Sequence, residues 1–138
     1  MGSAVKLFLD ACSIIYLIVS QQEQGRKIRL LVDEALKSNG QLVVSRLSFL
    51  ECRVLPLKSR NSALLDCYDR FFQLHSLAII ELDAIVIDIA AELRANHSGS
   101  LRTPDAIQLA CAITSGADQF LTGDKKLAAI QEIKVTVV

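Results

Sequence analysis

Residues 103–124 read TPDAIQLACAITSGADQFLTGD, and this stretch decides the fold class. Thr103-Pro104-Asp105 is a sharp helix start: a hydroxyl residue suited to the N-cap, a proline suited to the first helical position, and an acid in the first turn, where the helix dipole favours negative charge. From Ala106 to Ile113 the helix is apolar nearly all round, so it is expected to be buried. Gly116 ends it. Gln119-Phe120-Leu121 reads as a short strand, and Asp124, after Thr122-Gly123, opens a short helix. A buried helix feeding a buried strand belongs to an α/β layer.

The same alternation runs outward from this unit. Residues 5–9 (VKLFL) form an expected first strand, ending at Asp10. Ile28, Leu31, Val32, Ala35 and Leu36 recur at helical spacing, so residues 23–38 form an amphipathic helix, stopped by Asn39-Gly40. Leu42-Val43-Val44 is a second strand. Ser45 caps a helix that starts at Arg46 and is expected to bend near Pro56. Residues 61–75 are a further helix, 77–82 a third strand, and Asp83 caps a helix reaching about His97, with Gly99 behind it. Residues 133–138 are a last strand. Strands alternating with helices imply a three-layer α/β/α domain around a central parallel sheet of four to five strands, spanning residues 1–138 as one unit.

Composition narrows the function classes. The chain has 138 residues, 51% of them hydrophobic, which excludes a disordered chain. Lys plus Arg total 15 and Asp plus Glu total 15, so any affinity for nucleic acid must come from local placement. The longest apolar run, residues 14–19, falls far short of the roughly 18 residues that cross a bilayer. Met1-Gly2-Ser3 is not read as an acylation signal, because Lys6 stands where a Ser or Thr is wanted. A cytoplasmic, membrane-free protein is expected. Cys12, Cys52, Cys67 and Cys111 show no zinc spacing and are expected to be free thiols.

In open α/β sheets ligands bind beyond the carboxyl ends of the strands. Asp10 follows the first strand, Asp124 follows the fourth, and Asp105 stands at the start of the buried helix. Glu51 lies one helical turn beyond Leu47, at the edge of the apolar stripe Leu47, Leu50, Val54 and Leu57. Each has a plainer role: capping for Asp10 and Asp124, a first-turn acid for Asp105, and pairing with Arg46, Arg53 or Arg102 for Glu51. The one topology nevertheless brings all four to one mouth of the sheet. Two unit charges about 5 Å apart repel by roughly 3 kcal/mol at an effective dielectric near 20. A divalent cation relieves this, and oxygen ligands select Mg²⁺ or Mn²⁺. The matching reaction is phosphodiester hydrolysis. Asp118 precedes the fourth strand and is read as a turn residue at the opposite end. Asp88 and Glu92 are read as a solvated pair. His75 and His97 fall near helix ends without an evident partner, which disfavours histidine acid–base cleavage. A phosphoacceptor domain built on Asp10 would want an acidic pair beside it, and Phe8-Leu9 stand there instead.

The segments LFLDACSIIYLIV, VVSRLSFLECRV, TPDAIQLACAI and FLTGDKKL, in this order and spacing, resemble PIN-domain proteins and, more narrowly, VapC-type toxins of bacterial toxin–antitoxin pairs. The resemblance covers nearly the whole chain. It implies a metal-dependent endoribonuclease whose four acids are Asp10, Glu51, Asp105 and Asp124, with Mg²⁺ or Mn²⁺ held mainly by Asp10 and Asp105. It implies a supporting role for Thr122, whose hydroxyl can orient a carboxylate or a water. Ala11 and Cys12 depart from the family, which often has a hydroxyl or amide residue after the first acid; Ser13 is the candidate substitute. RNA needs positive charge near the acids, and Arg46, Arg53, Arg102, Lys125 and Lys126 are the expected phosphate contacts. With no Trp and a total of seven Phe and Tyr, base stacking is not written in the sequence. The resemblance also implies a homodimer and a cognate antitoxin, for which the helices near 23–38 and 61–75 are the expected surfaces. The rival reading is a PIN module with a degenerate site that binds RNA or a protein without cleavage.

Overall fold

The computed structural model describes residues 4–138. Met1, Gly2 and Ser3 lie outside it. The strands β1 (Lys6–Leu9), β2 (Gln41–Ser45), β3 (Leu77–Ile80), β4 (Gln119–Thr122) and β5 (Val135–Val137) form one sheet in the order β3-β2-β1-β4-β5. All four pairings are parallel. The helices are α1 (Ala11–Val19), α2 (Glu23–Lys37), α3 (Arg46–Lys58), α4 (Ser62–Phe72), α5 (Ala84–Asn96) and α6 (Thr103–Thr114), with a 3₁₀ turn at Lys125–Ala129.

Period-two alternation along the strands divides the core into two layers. Leu7, Leu9, Leu42, Val44 and Leu121 pack with Ile14, Ile28, Val32, Cys52, Tyr68, Phe71 and Phe72, so α1 to α4 cover that face. Phe8, Val43 and Phe120 point the other way, against Val86, Leu93, Leu109, Cys111 and Leu127 from α5, α6 and the 3₁₀ turn. The Phe8 and Phe120 rings stack at 5.3 Å across adjacent strands. Each fully buried Leu, Val or Phe is worth about 1.5–3 kcal/mol of transfer free energy. This is the three-layer architecture that the alternation of elements implied.

The chain order places the functional region. From β1 the sheet grows outward through β2 and β3, then returns to add β4 on the other side of β1. The carboxyl ends of β1 and β4 therefore flank the point where the winding reverses, the place where such sheets open a crevice. Leu9 pairs with Leu121, and the Asp10 backbone N–H donates to the Leu121 carbonyl at 3.3 Å, carrying the ladder one residue past the strand.

Several local expectations change. Thr103 is the first helical residue of α6 rather than its cap; Arg102 takes the cap position and Pro104 follows one place later. The Thr103 hydroxyl is engaged by Arg94 at 2.9 Å, so it is not used as a cap. α3 runs through Pro56 to Lys58, and Pro56 is buried. His97 does have a partner: its Nε2 lies 2.8 Å from Glu132. The apolar residues of α4, Tyr68, Phe71 and Phe72, are spent internally. The large exposed apolar side chains instead concentrate on α3 (Leu50, Val54, Leu55 and Leu57) and at Leu82, Ile85 and Ile87, although Leu30 and Leu36 of α2 are also exposed.

Candidate active site

Asp10 leaves β1 in an extended conformation and caps α1. Its Oδ1 accepts from the Ser13 backbone N–H at 2.9 Å. The Ser13 hydroxyl donates to the Leu121 carbonyl at 2.7 Å, tying the first turn of α1 to β4. Asp10 is only 8% exposed. Burial raises its pKa above the ordinary 3.8; the Thr122 hydroxyl and the Ser13 groups oppose this, and the nearby Asp105 charge adds to it. The capping role and a place in the cleft are thus compatible.

Asp124 follows β4 and caps the 3₁₀ turn, its Oδ1 accepting from the Lys126 N–H at 3.0 Å. Its own N–H donates to Thr122 Oγ1 at 3.0 Å. That hydroxyl, buried between the two acids, links the end of β4 to both. Gly123 is required by close approach: a Cβ there would stand 2.6 Å from Tyr16 Cε2 and 2.8 Å from Cys12 Sγ. The Cys12 thiol, raised by burial, edges the cleft beside Tyr16.

Glu51 pairs with none of the arginines proposed from sequence. Its Oε1 accepts from Gln108 Nε2 at 3.0 Å. Gln108 projects from α6 and is 4% exposed. Its Nε2 also donates to Ser48 Oγ at 2.8 Å, and its Oε1 accepts from Ser45 Oγ at 3.0 Å. Ser45 Oγ caps α3 by accepting from Ser48 N–H at 3.3 Å, so its proton is free to point at Gln108. Sequence reasoning missed Gln108. Its signal was available: one amide on an otherwise apolar buried helix, three residues after Asp105, must find partners.

Asp105 stands in the first turn of α6, half-buried, with Oδ2 3.4 Å from Arg102 Nε. Asp10, Glu51, Asp105 and Asp124 line one cleft of about 240 Å³, together with Cys12, Arg102 and Gln108. The structure thus brings all four sequence-selected acids together. Asp118 is at the other end of the sheet, where its Oδ2 accepts from the Lys6 N–H at 2.8 Å.

The donor set suits a hard divalent ion: four carboxylates and no imidazole. Glu51 Oε2, Asp105 Oδ1 and Asp124 Oδ2 are outside the hydrogen bonds described. Among the described residues, no three acidic, histidine or cysteine side chains close around a single point. The carboxylates gather at one mouth of the sheet.

Of the five cations selected from sequence, Arg102 and Lys126 reach this region. Lys125 is exposed beside it. Arg46 pairs with Glu81 at 2.6 Å, and Arg53 pairs with Asp69 while lying over the Phe49 ring. Neither lines the acidic cleft. No described helix is long and apolar enough to cross a membrane.

A parallel sheet wound in both directions from β1, with acids at its switch point, defines the class. The chain belongs to the PIN domain family, whose model matches residues 7–133. Its fold is similar to that of VapBC2 from Rickettsia felis, solved bound to a fragment of promoter DNA, with TM-score 0.75 and 18% identity over 97% of this chain and 99% of that one. It is also similar to FitAcB from Neisseria gonorrhoeae, with TM-score 0.73 and 19% identity over 94% and 95% of the two chains. A third similar structure is VapC20 from Mycobacterium tuberculosis, described as a sarcin-ricin loop cleaving toxin, with TM-score 0.69 and 15% identity over 93% and 98%. At these identities the likeness is one of fold. No curated protein matches the chain in sequence.

Proposed function

We propose that this chain is an Mg²⁺- or Mn²⁺-dependent endoribonuclease and the VapC-type toxin of a toxin–antitoxin pair. The observation that carries the reading is the convergence of Asp10, Glu51, Asp105 and Asp124 on one cleft at the switch point of the sheet. A divalent ion bound there would stabilise charge on a phosphate oxygen and make water a better nucleophile. Asp10, from the end of β1, and Asp105, from the start of α6, are its principal holders, and Asp124 completes the set. Glu51, anchored through Oε1, presents Oε2 to orient the attacking water and take its proton. Thr122 and Ser13 fix the Asp10 carboxylate, and the Lys126 N–H fixes that of Asp124. Arg102, Lys125 and Lys126 hold phosphates; Arg46 and Arg53 serve first as partners of Glu81 and Asp69. In-line attack at phosphorus leaves 5′-phosphate and 3′-hydroxyl ends, as the resemblance implies.

The similar solved structures include a toxin–antitoxin complex and a member of the VapBC family of toxin–antitoxin systems, which supports an antitoxin partner here. A basic antitoxin side chain laid onto the four acids would inhibit by taking the place of the ion. A second copy of the chain is the further proposed partner, with the exposed Leu50, Val54 and Leu57 of α3 as its candidate surface. The working compartment is the cytoplasm, and residues 1–138 act as one domain.

The test is cleavage of end-labelled RNA in Mg²⁺. Cleavage that stops in EDTA and in Asp10→Asn and Asp105→Asn supports the reading. EDTA-resistant cleavage, or equal activity in both variants, contradicts it.

A further inference from the structure

The acidic cleft does not end at Asp105. A second hollow, of about 650 Å³, shares Arg102, Asp105 and Asp124 with it and is lined further by Arg94, Leu101 and Lys126. Arg94, which the motifs did not single out, reaches this hollow from α5. Its Nε donates to the Leu101 carbonyl at 3.1 Å and its Nη1 to Thr103 Oγ1 at 2.9 Å. Both acceptors are neutral. Among the described residues neither Arg94 nor Lys126 forms an ion pair, whereas Arg46 and Arg53 each have a carboxylate partner. Arg94 is therefore held in one orientation without being neutralised, and its Nη2 is outside both hydrogen bonds. Lys126 is anchored through its backbone to Asp124 and leaves its ammonium exposed.

A ligand spanning both hollows meets carboxylates at one end and unneutralised cations at the other. A strand of repeated phosphates fits this sequence of charges: one phosphate at the acids, where a divalent ion offsets the repulsion, and the next against the cations. A guanidinium fork fixed on two sides matches phosphate geometry.

We propose that Arg94 and Lys126, with Arg102, form a subsite for the RNA phosphate adjacent to the one at the acids, so that the strand is gripped on the α5–α6 side of the cleft. This subsite rests on the ribonuclease reading and adds to it the direction in which the substrate leaves the acids.

The experiment measures binding of a labelled single-stranded RNA of about 12 nucleotides, long enough to exceed an ordinary single-strand site, by fluorescence anisotropy over a range of salt. The full chain carrying Asp10→Asn serves as parent, so that binding is read without cleavage. For single strands the slope of log affinity against log salt falls by about 0.7 for each phosphate contact removed. Arg94→Gln together with Lys126→Gln is expected to flatten the slope by about one such step. Arg94→Lys keeps the charge and is expected to keep the slope, which separates phosphate contact from the role of Arg94 in tethering Leu101 and Thr103. Lys37→Gln, at the end of α2 that leads into the amino end of β2, is expected to leave the slope unchanged.

An unchanged slope in the double variant, an equal fall in Lys37→Gln, or no RNA binding by the parent at low salt overturns the subsite. Metal-dependent cleavage with an unchanged slope removes the subsite and leaves the activity standing. A charge-dependent slope without cleavage supports the subsite and removes the activity.

Discussion

Gln108 Nε2 lies 3.0 Å from Glu51 Oε1, and the far side of the same amide is held as well. The Ser45 hydroxyl accepts from the Ser48 backbone and donates to Gln108 Oε1, while the amide nitrogen faces Ser48 and Glu51. One Nε2 hydrogen goes to each. Glu51 Oε1 is thereby held as an acceptor, and Oε2 stays outside these hydrogen bonds.

Gln108→Leu removes that donor at similar volume. A hydrogen bond to a charged group is worth about 1.5–3 kcal/mol, so activity is expected to fall about 10- to 100-fold. The same substitution in a Glu51→Gln background is expected to add little, because its effect passes through Glu51. Single-turnover rates on one RNA measure the cycle. Equal losses in both backgrounds would assign Gln108 to packing alone.

Much of this was legible in the sequence. The strand–helix alternation gives the layers, and the positions of Asp10 directly after β1 and of Asp124 two residues after β4 put them at the switch point. Glu51 could be suspected from the edge of an apolar stripe, but Leu50, Val54 and Leu57 of that stripe are exposed, and the face of α3 that turns inward carries Ser48, Cys52 and Pro56. The partner of Glu51 was not legible, since Gln108 lies far along the chain and only the packing of α6 against α3 brings the two together. Arg46 and Arg53 look like a basic rim when read along α3, but Glu81 and Asp69 arrive from other elements to take them. The boundary at Thr103 moved for the same reason: Arg94 competes for its hydroxyl.

Asp118 and Asp124 offer a direct comparison of two acids flanking one strand. Asp118→Asn weakens the bond to the Lys6 N–H at the amino end of the sheet. It is expected to cost no more than about 0.5–1.5 kcal/mol of stability and to leave RNA cleavage unchanged. Asp124→Asn is expected to lower cleavage at least about 100-fold, the low end of the general acid–base and electrostatic contributions in such sites. Urea unfolding and cleavage rates on both variants check this.

Gly123→Ala tests the close approach of β4 to α1. The added methyl would meet Tyr16 and Cys12 at under 3 Å, so α1 must shift or Asp124 must move. Overpacking of this kind costs about 1–3 kcal/mol. A fall in thermal midpoint accompanied by a larger fall in activity is expected. An unperturbed midpoint would show that α1 gives way freely.

Burial pushes the thiols of Cys52 and Cys111 and the Tyr68 phenol up to about 12. Their ordinary values are 9.0 for the thiols and 10.0 for the phenol. Above those ordinary values the unfolded chain releases protons that the folded chain retains, so stability must fall as pH rises towards 12. The urea midpoint followed from neutral to alkaline pH should decline through this window. In the native protein at mildly alkaline pH a thiol reagent should modify the exposed Cys67 quickly and leave Cys52 and Cys111 until unfolding. Rapid modification of all four would contradict the burial.

On the proposed function, Asp10 at the end of β1 and Asp105 at the start of α6 share one divalent ion. Calorimetric titration of Mn²⁺ into the full chain, with Asp10→Asn, Asp105→Asn and Asp118→Asn alongside, tests it without reference to any RNA. Saturable binding to the parent and to Asp118→Asn, lost or weakened by at least about 10-fold in each of the other two, is the predicted result. No binding to the parent, or equal affinity in all four proteins, would contradict it.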